Sequence, residues 1–189
     1  MNQNANKPDR PELVQRRSFP LVAHVAHPAQ RVTSVAVKLT LTAHWLSLRW
    51  RIEGAGALVV PGFAGKGRAD ELWRTTCFEL FARGQGDEEY CEFNLSPSER
   101  WAAYDFDSYR AGMAPRPMPH DPGCTWRRSG ETALFDAAIP RGAIPPTPNE
   151  TGLTAVLEEE GGVISYWALA HPAAKPDFHN PAGFALTLA

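Results

Sequence analysis

Apolar and polar residues alternate with a period of two in many short segments of this chain, and no long segment has helical periodicity. Two pairs of alternating segments predict β-hairpins: Val35 to Leu41 with Trp45 to Ile52, and Thr76 to Arg83 with Glu89 to Leu95. Further strands are expected at Leu58 to Val60, Trp101 to Phe106, Thr132 to Ala138, Leu153 to Glu158, Val163 to Leu169 and Phe184 to Leu188. Glycine and proline turns separate nearly all of them. The pattern predicts an all-β fold with little helix, an antiparallel β-sandwich of the jelly-roll or immunoglobulin-like kind.

The chain of 189 residues is long enough for one domain with a substantial core. Residues 1–17 are polar and broken by proline, so they are expected to be a loose N-terminal segment. Residues 18–189 are expected to form a single domain.

Composition excludes several classes of partner. The net charge of −2, with no basic stripe, gives no electrostatic footprint for nucleic acid. No apolar run approaches the ~20 residues of a membrane span. Near the N-terminus, His24, His27 and Pro28 interrupt the stretch where a signal peptide needs an apolar core. We therefore expect a cytoplasmic protein with no nucleic-acid or membrane partner.

The three cysteines, Cys77, Cys91 and Cys124, are an odd set without C-x-x-C spacing. This pattern indicates neither a disulfide framework nor a thiolate zinc site. Free thiols in a reducing compartment are expected.

The second hairpin brings unusual side chains onto one face. With Gly84 to Asp87 as the loop, the predicted register places Glu79 opposite Glu92 and Phe81 opposite Tyr90. Two carboxylates directly opposite on a sheet repel each other unless a cation, a proton or a ligand lies between them.

Two interpretations of this carboxylate pair are open. The glutamates could be solvated on an exposed face and screened by neighbouring arginines: Arg74, Arg83 or Arg100. Alternatively they form a ligand site, which is favoured by four large aromatic residues in or beside the hairpin: Trp73, Phe81, Tyr90 and Trp101. Large aromatics on the solvent face of a sheet are unusual without a partner to cover them.

Five motifs carry a resemblance to a known superfamily: DELWRTTCFELF at 70–81, EFNLSPS at 92–98, WAAYDFD at 101–107 followed by Tyr109-Arg110, SYWAL at 165–169 and PDFH at 176–179. Over roughly residues 19–189 the chain resembles an uncharacterised bacterial group in the DOMON-like superfamily of β-sandwiches. That superfamily also contains the family-nine carbohydrate-binding modules.

The resemblance implies roles for particular residues. In the family-nine modules a tryptophan six positions before a glutamate helps to bind a terminal sugar, and Trp73 and Glu79 have that spacing. A second aromatic closes the sugar site from a late loop, for which Trp167 and Phe178 are the candidates. The modules place an arginine on the strand after the hairpin, where this chain offers Glu92 and Asn94, so it departs from the family there.

Sugar chemistry calls for an aromatic platform together with carboxylates and amides. The candidate ligand-binding residues are therefore Trp73, Arg74, Glu79, Glu92, Asn94, Trp167, Phe178 and His179. Structural roles compete with this one: Trp73 as a hydrophobic plug at a corner, and Asn94 as a cap of the turn at Ser96. The predicted ligand is a small polar molecule, a sugar or sugar-derived metabolite.

Other functions stay open at the level of sequence. Opposed carboxylates could serve a glycosidase-like enzyme, although no catalytic motif is present and no catalytic residue is assigned. A metal site could use His171, Asp177 and His179, and haem could use Met113, Met118 and His120, although the expectation is that the protein has no metal or cofactor. The aromatic face could also meet another protein.

Overall fold

The computed structural model describes residues 13–189, and strands account for most of its regular structure. The first seven strands are β1 (Leu13–Ala23), β2 (Ser34–Thr42), β3 (Trp45–Glu53), β4 (Gly67–Arg68), β5 (Cys77–Gly84), β6 (Tyr90–Leu95) and β7 (Arg100–Phe106). The others are β8 (Ala114–Pro115), β9 (Gly123–Ser129), β10 (Thr132–Pro140), β11 (Asn149–Glu159), β12 (Val163–Ala168) and β13 (Leu186–Leu188). Helix within these residues is limited to four 3₁₀ turns: Ala55–Ala57, Leu72–Arg74, Arg141–Ala143 and Pro181–Gly183. The predicted fold class, all-β with little helix, is confirmed.

The strands form two sheets that share β1. The first sheet has the order β9-β10-β3-β2-β1, and the second has the order β12-β11-β5-β6-β7-β4. Leu13 to Leu21 of β1 pair with β2, whereas Val22 and Ala23 pair with β12, so one strand passes from sheet to sheet. Nearly all pairs are antiparallel, and the two-residue strand β4 pairs with β7 in parallel.

The core lies between the two sheets because each strand turns its alternate apolar residues inward. Phe78 of β5 stacks on Phe135 of β10 with ring centroids 4.3 Å apart, and Trp50 of β3 lies 5.3 Å from Phe78. All three side chains are fully buried. Since β5 belongs to one sheet and the other two strands to the opposite one, these rings join the two layers.

Several strand predictions differ from the structure. Leu58 to Val60 is a loop with one isolated bridge between Leu58 and Glu159, not a strand. Strands β1 and β9 were not predicted because polar and charged residues weaken their alternation. Strand β1 begins at Leu13, within the segment 1–17 that was expected to be loose; residues 1–12 lie outside the described part.

The register of the β5–β6 hairpin differs from the predicted one by two residues. Glu79 lies opposite Asn94, and Phe81 lies opposite Glu92, so the two glutamates are diagonal neighbours. The loop between the strands spans residues 85–89, so it ends two residues later than the predicted loop, which ended at Asp87. A shift by two keeps every side chain on its own face, so the predicted division of the hairpin into two faces is correct.

The three cysteines are free and buried. Cys91 packs in the main core, and burial raises the pKa of its thiol to about 12. Burial likewise raises the pKa of Cys124 to about 12. No helix among residues 13–189 is long and apolar enough to cross a membrane.

Candidate functional site

A cavity of about 850 Å³ opens on the face of the second sheet that points away from the main core. Its floor is formed by β5, β6 and β7 with parts of β11 and β12, and loops around 70–73, 110–115 and 176–179 form its walls. The lining side chains include Asp70, Glu71, Trp73, Glu79, Phe81, Glu92, Asn94, Tyr104, Phe106, Arg110, Met113, Val156, Tyr166, Phe178 and His179.

Strand register explains why these side chains converge. Directly paired residues on adjacent antiparallel strands share a face. Glu92 is paired with both Phe81 and Tyr104, which places the three side chains in a row across β5, β6 and β7. Glu79 is paired with Asn94 in the next row.

Glu79 and Glu92 are deeply buried, with 3% and 6% of their surfaces exposed. Thr154 donates a hydrogen bond of 3.0 Å to Glu79 Oε2, and Asn94 Nδ2 donates one of 2.7 Å to Glu92 Oε1. Burial, together with the nearby charge of Glu92, raises the pKa of Glu79 to about 8. Burial also raises the pKa of Glu92. At neutral pH Glu79 therefore carries a proton that it can donate.

His179 is held at one end of the cavity by a short hydrogen-bond chain. The backbone N–H of Arg110 donates to the hydroxyl of Tyr90 at 3.1 Å, and that hydroxyl lies 2.8 Å from His179 Nδ1. Burial lowers the pKa of His179 to about 4, so the ring is neutral at pH 7. The other ring nitrogen, Nε2, lies 3.7 Å from Glu92 Oε2.

The outer wall is aromatic and partly open to solvent. Trp73 is 50% exposed and follows Glu71, whose backbone is left-handed with φ 59°. The guanidinium of Arg74 lies 5.2 Å from the centre of the Trp73 ring and bonds to Glu71 at 2.6 Å. Arg74 thus braces Trp73 at the cavity mouth.

Six of the eight predicted site residues line this cavity: Trp73, Glu79, Glu92, Asn94, Phe178 and His179. Arg74 is outside the lining. Trp167 is in the main core, where Ser165 accepts a bond of 3.0 Å from its indole N–H. Trp167 is paired with Ala155, a core residue, whereas its neighbour Tyr166 is paired with Val156 and reaches the cavity.

Three of the aromatic residues expected on an open sheet face are covered. Phe81 and Tyr90 form a small second cluster with Phe106 and Phe184. Trp101 is in the main core, and the guanidinium of Arg68 lies 4.6 Å from its ring centre. Of the four aromatics, Trp73 is the one that remains largely exposed.

Sequence reasoning missed several lining residues, among them Asp70, Tyr104, Phe106 and Arg110. Tyr104 and Phe106 could have been found by extending the hairpin pairing to the next strand, since they alternate on β7. Arg110 had no such signal because it belongs to an irregular loop, where it has φ 55° and pairs with Asp177 at 2.9 Å.

The residues considered for a metal ion do not form a ligand set. Among residues 13–189 no group of three or more His, Cys, Asp or Glu side chains is arranged to hold a metal ion. Asp177 is bonded to Tyr109 and Arg110, and His171 bonds to the carbonyl of Val22. Met118 packs against the main core, whereas Met113 is exposed at the cavity.

A second depression of about 450 Å³ lies on the outer face of the first sheet. Its lining includes Arg16, Lys38, Arg49 and Asp136, and Arg49 is already paired with Asp136 at 2.5 Å. None of its lining residues is aromatic. The larger cavity therefore has the better chemistry for a small organic ligand.

Comparison with known proteins supports the fold. No family model and no curated protein matches the sequence. The crystal structure of a putative carbohydrate-binding protein from Bacteroides uniformis aligns with a TM-score of 0.62 and 16% identity, over 89% of this chain and 84% of that chain. A family-nine carbohydrate-binding module from Caldicellulosiruptor kristjanssonii in complex with glucose aligns with a TM-score of 0.46 and 8% identity, over 79% and 74% of the two chains. The first of these likenesses shows that the chain shares its β fold with that protein.

Proposed function

We propose that this protein is a noncatalytic binding protein whose larger cavity holds one small polar ligand, a sugar or sugar-derived metabolite. The observation that carries the proposal is that buried carboxyl groups, an amide and aromatic side chains line the same cavity. Its volume of about 850 Å³ falls in the usual range of small-molecule sites, about 300–1,000 Å³.

Each side-chain type has a task in such a site. The ring of Trp73 offers a flat apolar surface to the C–H face of a sugar. Glu92 can accept hydrogen bonds from sugar hydroxyl groups, and Asn94 can both accept and donate them. The protonated Glu79 adds a further donor. Tyr166 and Phe178, whose ring centres are 6.0 Å apart, give a second aromatic wall.

Fold similarity adds support from outside the cavity. The Bacteroides uniformis protein is described as a putative carbohydrate-binding protein, and its fold matches most of this chain. This is support by analogy, because one fold can carry many functions. We extend the proposal to membership of the DOMON-like superfamily and to a cytoplasmic location, with which three free, buried thiols agree.

A glycosidase-like activity is the second candidate. One observation favours it: burial raises the pKa of both neighbouring carboxyl groups, that of Glu79 to about 8. A pair of neighbouring carboxyl groups, one of which keeps its proton at neutral pH, resembles the acid and the nucleophile of a glycosidase. Release of nitrophenol from aryl glycosides by the wild type, abolished in both Glu79→Gln and Glu92→Gln, would establish this activity in place of simple binding.

A thermal-shift screen against sugars, nucleotide sugars and cell-wall fragments tests the proposal. A ligand at 100 times its dissociation constant stabilises the fold by about 2.7 kcal/mol. For a chain of this size that corresponds to a rise in Tm of roughly 5–10 °C.

Trp73→Ala should abolish the shift, whereas Trp45→Ala should leave it intact. Trp45 is a matched control because it is also exposed, at 37%, but lies on β3 of the other sheet. A shift that survives Trp73→Ala and disappears in Trp45→Ala would contradict the proposed site.

A further inference from the structure

The cavity holds more negative than positive side chains. Four carboxyl groups line it, those of Asp70, Glu71, Glu79 and Glu92, against one guanidinium, that of Arg110. Arg110 is already paired with Asp177 at 2.9 Å, and Glu71 with Arg74 at 2.6 Å. Arg110 and Glu71 are therefore compensated within the protein, and Asp70 accepts a hydrogen bond from the hydroxyl of Tyr104.

Within the described part of the chain, the two buried carboxyl groups on the floor have no direct ion pair with a lysine or arginine, and the charge of Arg110 reaches Glu92 only from a distance. Among the described residues, no lysine or arginine lies within 4 Å of a carboxyl oxygen of Glu79 or Glu92. The side chain of His179 is 3.7 Å from Glu92 but is neutral at pH 7. A buried carboxylate without a cation is costly, and a ligand can supply what the protein does not.

Each of these carboxyl groups also has one oxygen without a hydrogen-bond donor among the described residues. Thr154 donates to Oε2 of Glu79, whereas Oε1 of the same group receives no hydrogen bond from residues 13–189. Asn94 donates to Oε1 of Glu92, and Oε2 has the 3.7 Å contact with His179, beyond hydrogen-bond distance. Both side chains are more than nine-tenths buried and line the cavity. The two open oxygens thus face the ligand space, and that of Glu79 becomes an acceptor when a bound cation favours release of its proton.

The walls suit an organic cation better than a metal ion. Six aromatic side chains line the cavity: Trp73, Phe81, Tyr104, Phe106, Tyr166 and Phe178. Aromatic faces attract ammonium groups, and more strongly when the cation is desolvated. Two carboxyl groups without a third ligand do not make a metal site, and no such group of three is present in residues 13–189.

We propose that the ligand carries a protonated amine that binds between Glu79 and Glu92, which makes an amino sugar its chemical class. This inference rests on the proposed function, since it specifies the ligand of the same cavity. The ammonium N–H groups donate to the open oxygens of the two glutamates, while the sugar ring packs against the aromatic wall. A neutral sugar would leave the two buried carboxyl groups without a cation.

Calorimetric titration of the wild-type protein at pH 7 with glucosamine, N-acetylglucosamine and glucose tests the inference. The three share one ring and differ at one position: an ammonium, a neutral amide and a hydroxyl. We expect glucosamine to bind at least tenfold more tightly than either neutral sugar. Glu92→Gln should remove most of this preference, and Glu88→Gln, which makes the same change on the exposed hairpin loop, should preserve it.

The outcomes separate the two proposals. If the neutral sugars bind as tightly as glucosamine, the amine inference is wrong while sugar binding stands. If none of the three binds and the broader thermal-shift screen is also empty, both proposals fail. If Glu92→Gln does not fold, the comparison of the three sugars on the wild-type protein still decides the question.

Discussion

Replacing Glu79 with glutamine should stabilise the fold by an amount that grows with pH. The substitution keeps the shape of the side chain and an oxygen that can accept the hydrogen bond from Thr154. It removes the carboxyl group, which is buried with 3% of its surface exposed. The stabilisation therefore measures the cost of keeping this acid in the interior.

The magnitude follows from the pKa of Glu79, which burial raises from 4.5 to about 8. Between these values the unfolded chain releases the proton while the folded protein keeps it. Folding stability is consequently lost as pH rises through this window, by about 1.4 kcal/mol per pH unit. From pH 5 to pH 7 the advantage of Glu79→Gln over the wild type should grow by about 2–3 kcal/mol.

The wild-type pH profile alone would hide this effect. Burial lowers the pKa of His179 from 6.5 to about 4, so this group costs stability as pH falls through that range. The contributions of Glu79 and His179 thus have opposite signs between pH 5 and 6.5. Subtracting the free energy of unfolding of the wild type from that of the variant at the same pH cancels the contribution of His179.

Urea unfolding of both proteins at pH 5 and pH 7 gives the required free energies. Glu88→Gln is the matched control, since Glu88 is exposed and its replacement should have little effect at either pH. An equal difference between Glu79→Gln and wild type at both pH values would refute the reasoning. It would mean that Glu79 is ionised in the folded protein.

Two further predictions concern parts of the fold outside the cavity. Glu159→Gln should lower the free energy of unfolding, measured in urea, by about 1–3 kcal/mol. The buried carboxylate of Glu159 accepts hydrogen bonds from the backbone N–H groups of Gln30, Arg31 and Val32, and an amide cannot accept all three. No loss would show that this loop is held by other contacts. A thiol reagent should find three reactive groups in the unfolded protein and almost none in the folded one, since all three cysteines are buried; one reactive group after unfolding would reveal a disulfide.

The sequence predicted the strands that have one apolar and one polar face. Alternation located β2, β3, β5, β6, β7 and β10 closely, and it divided the β5–β6 hairpin into its two faces correctly. It could not set the register, because a shift by two residues leaves the same pattern of inward and outward side chains. Glu79 and Glu92 were therefore expected face to face but lie diagonally.

The sequence predicted the site residues that belong to the alternating pattern of a single hairpin. It could not predict those whose position depends on which strands are neighbours in the sheet. Choosing Tyr166 over Trp167 requires knowing that β12 pairs with β11 so that Trp167 faces Ala155. The burial of Glu79 and Glu92 was also out of reach, because the loops that cover them come from distant parts of the chain. Arg110 was missed because its irregular loop has no periodic pattern.

An NMR titration that follows the indole N–H resonances while glucosamine, N-acetylglucosamine or glucose is added tests the central claim most directly. It reports both whether a sugar binds and which tryptophan it contacts. The chain has six tryptophans, of which Trp50, Trp101 and Trp167 are buried and Trp45 is exposed on the opposite sheet. We predict that the Trp73 resonance, identified by its loss in Trp73→Phe, moves saturably while the Trp45 resonance stays fixed. A sugar that moves Trp45 and leaves Trp73 unchanged would contradict the assignment of the cavity as the binding site.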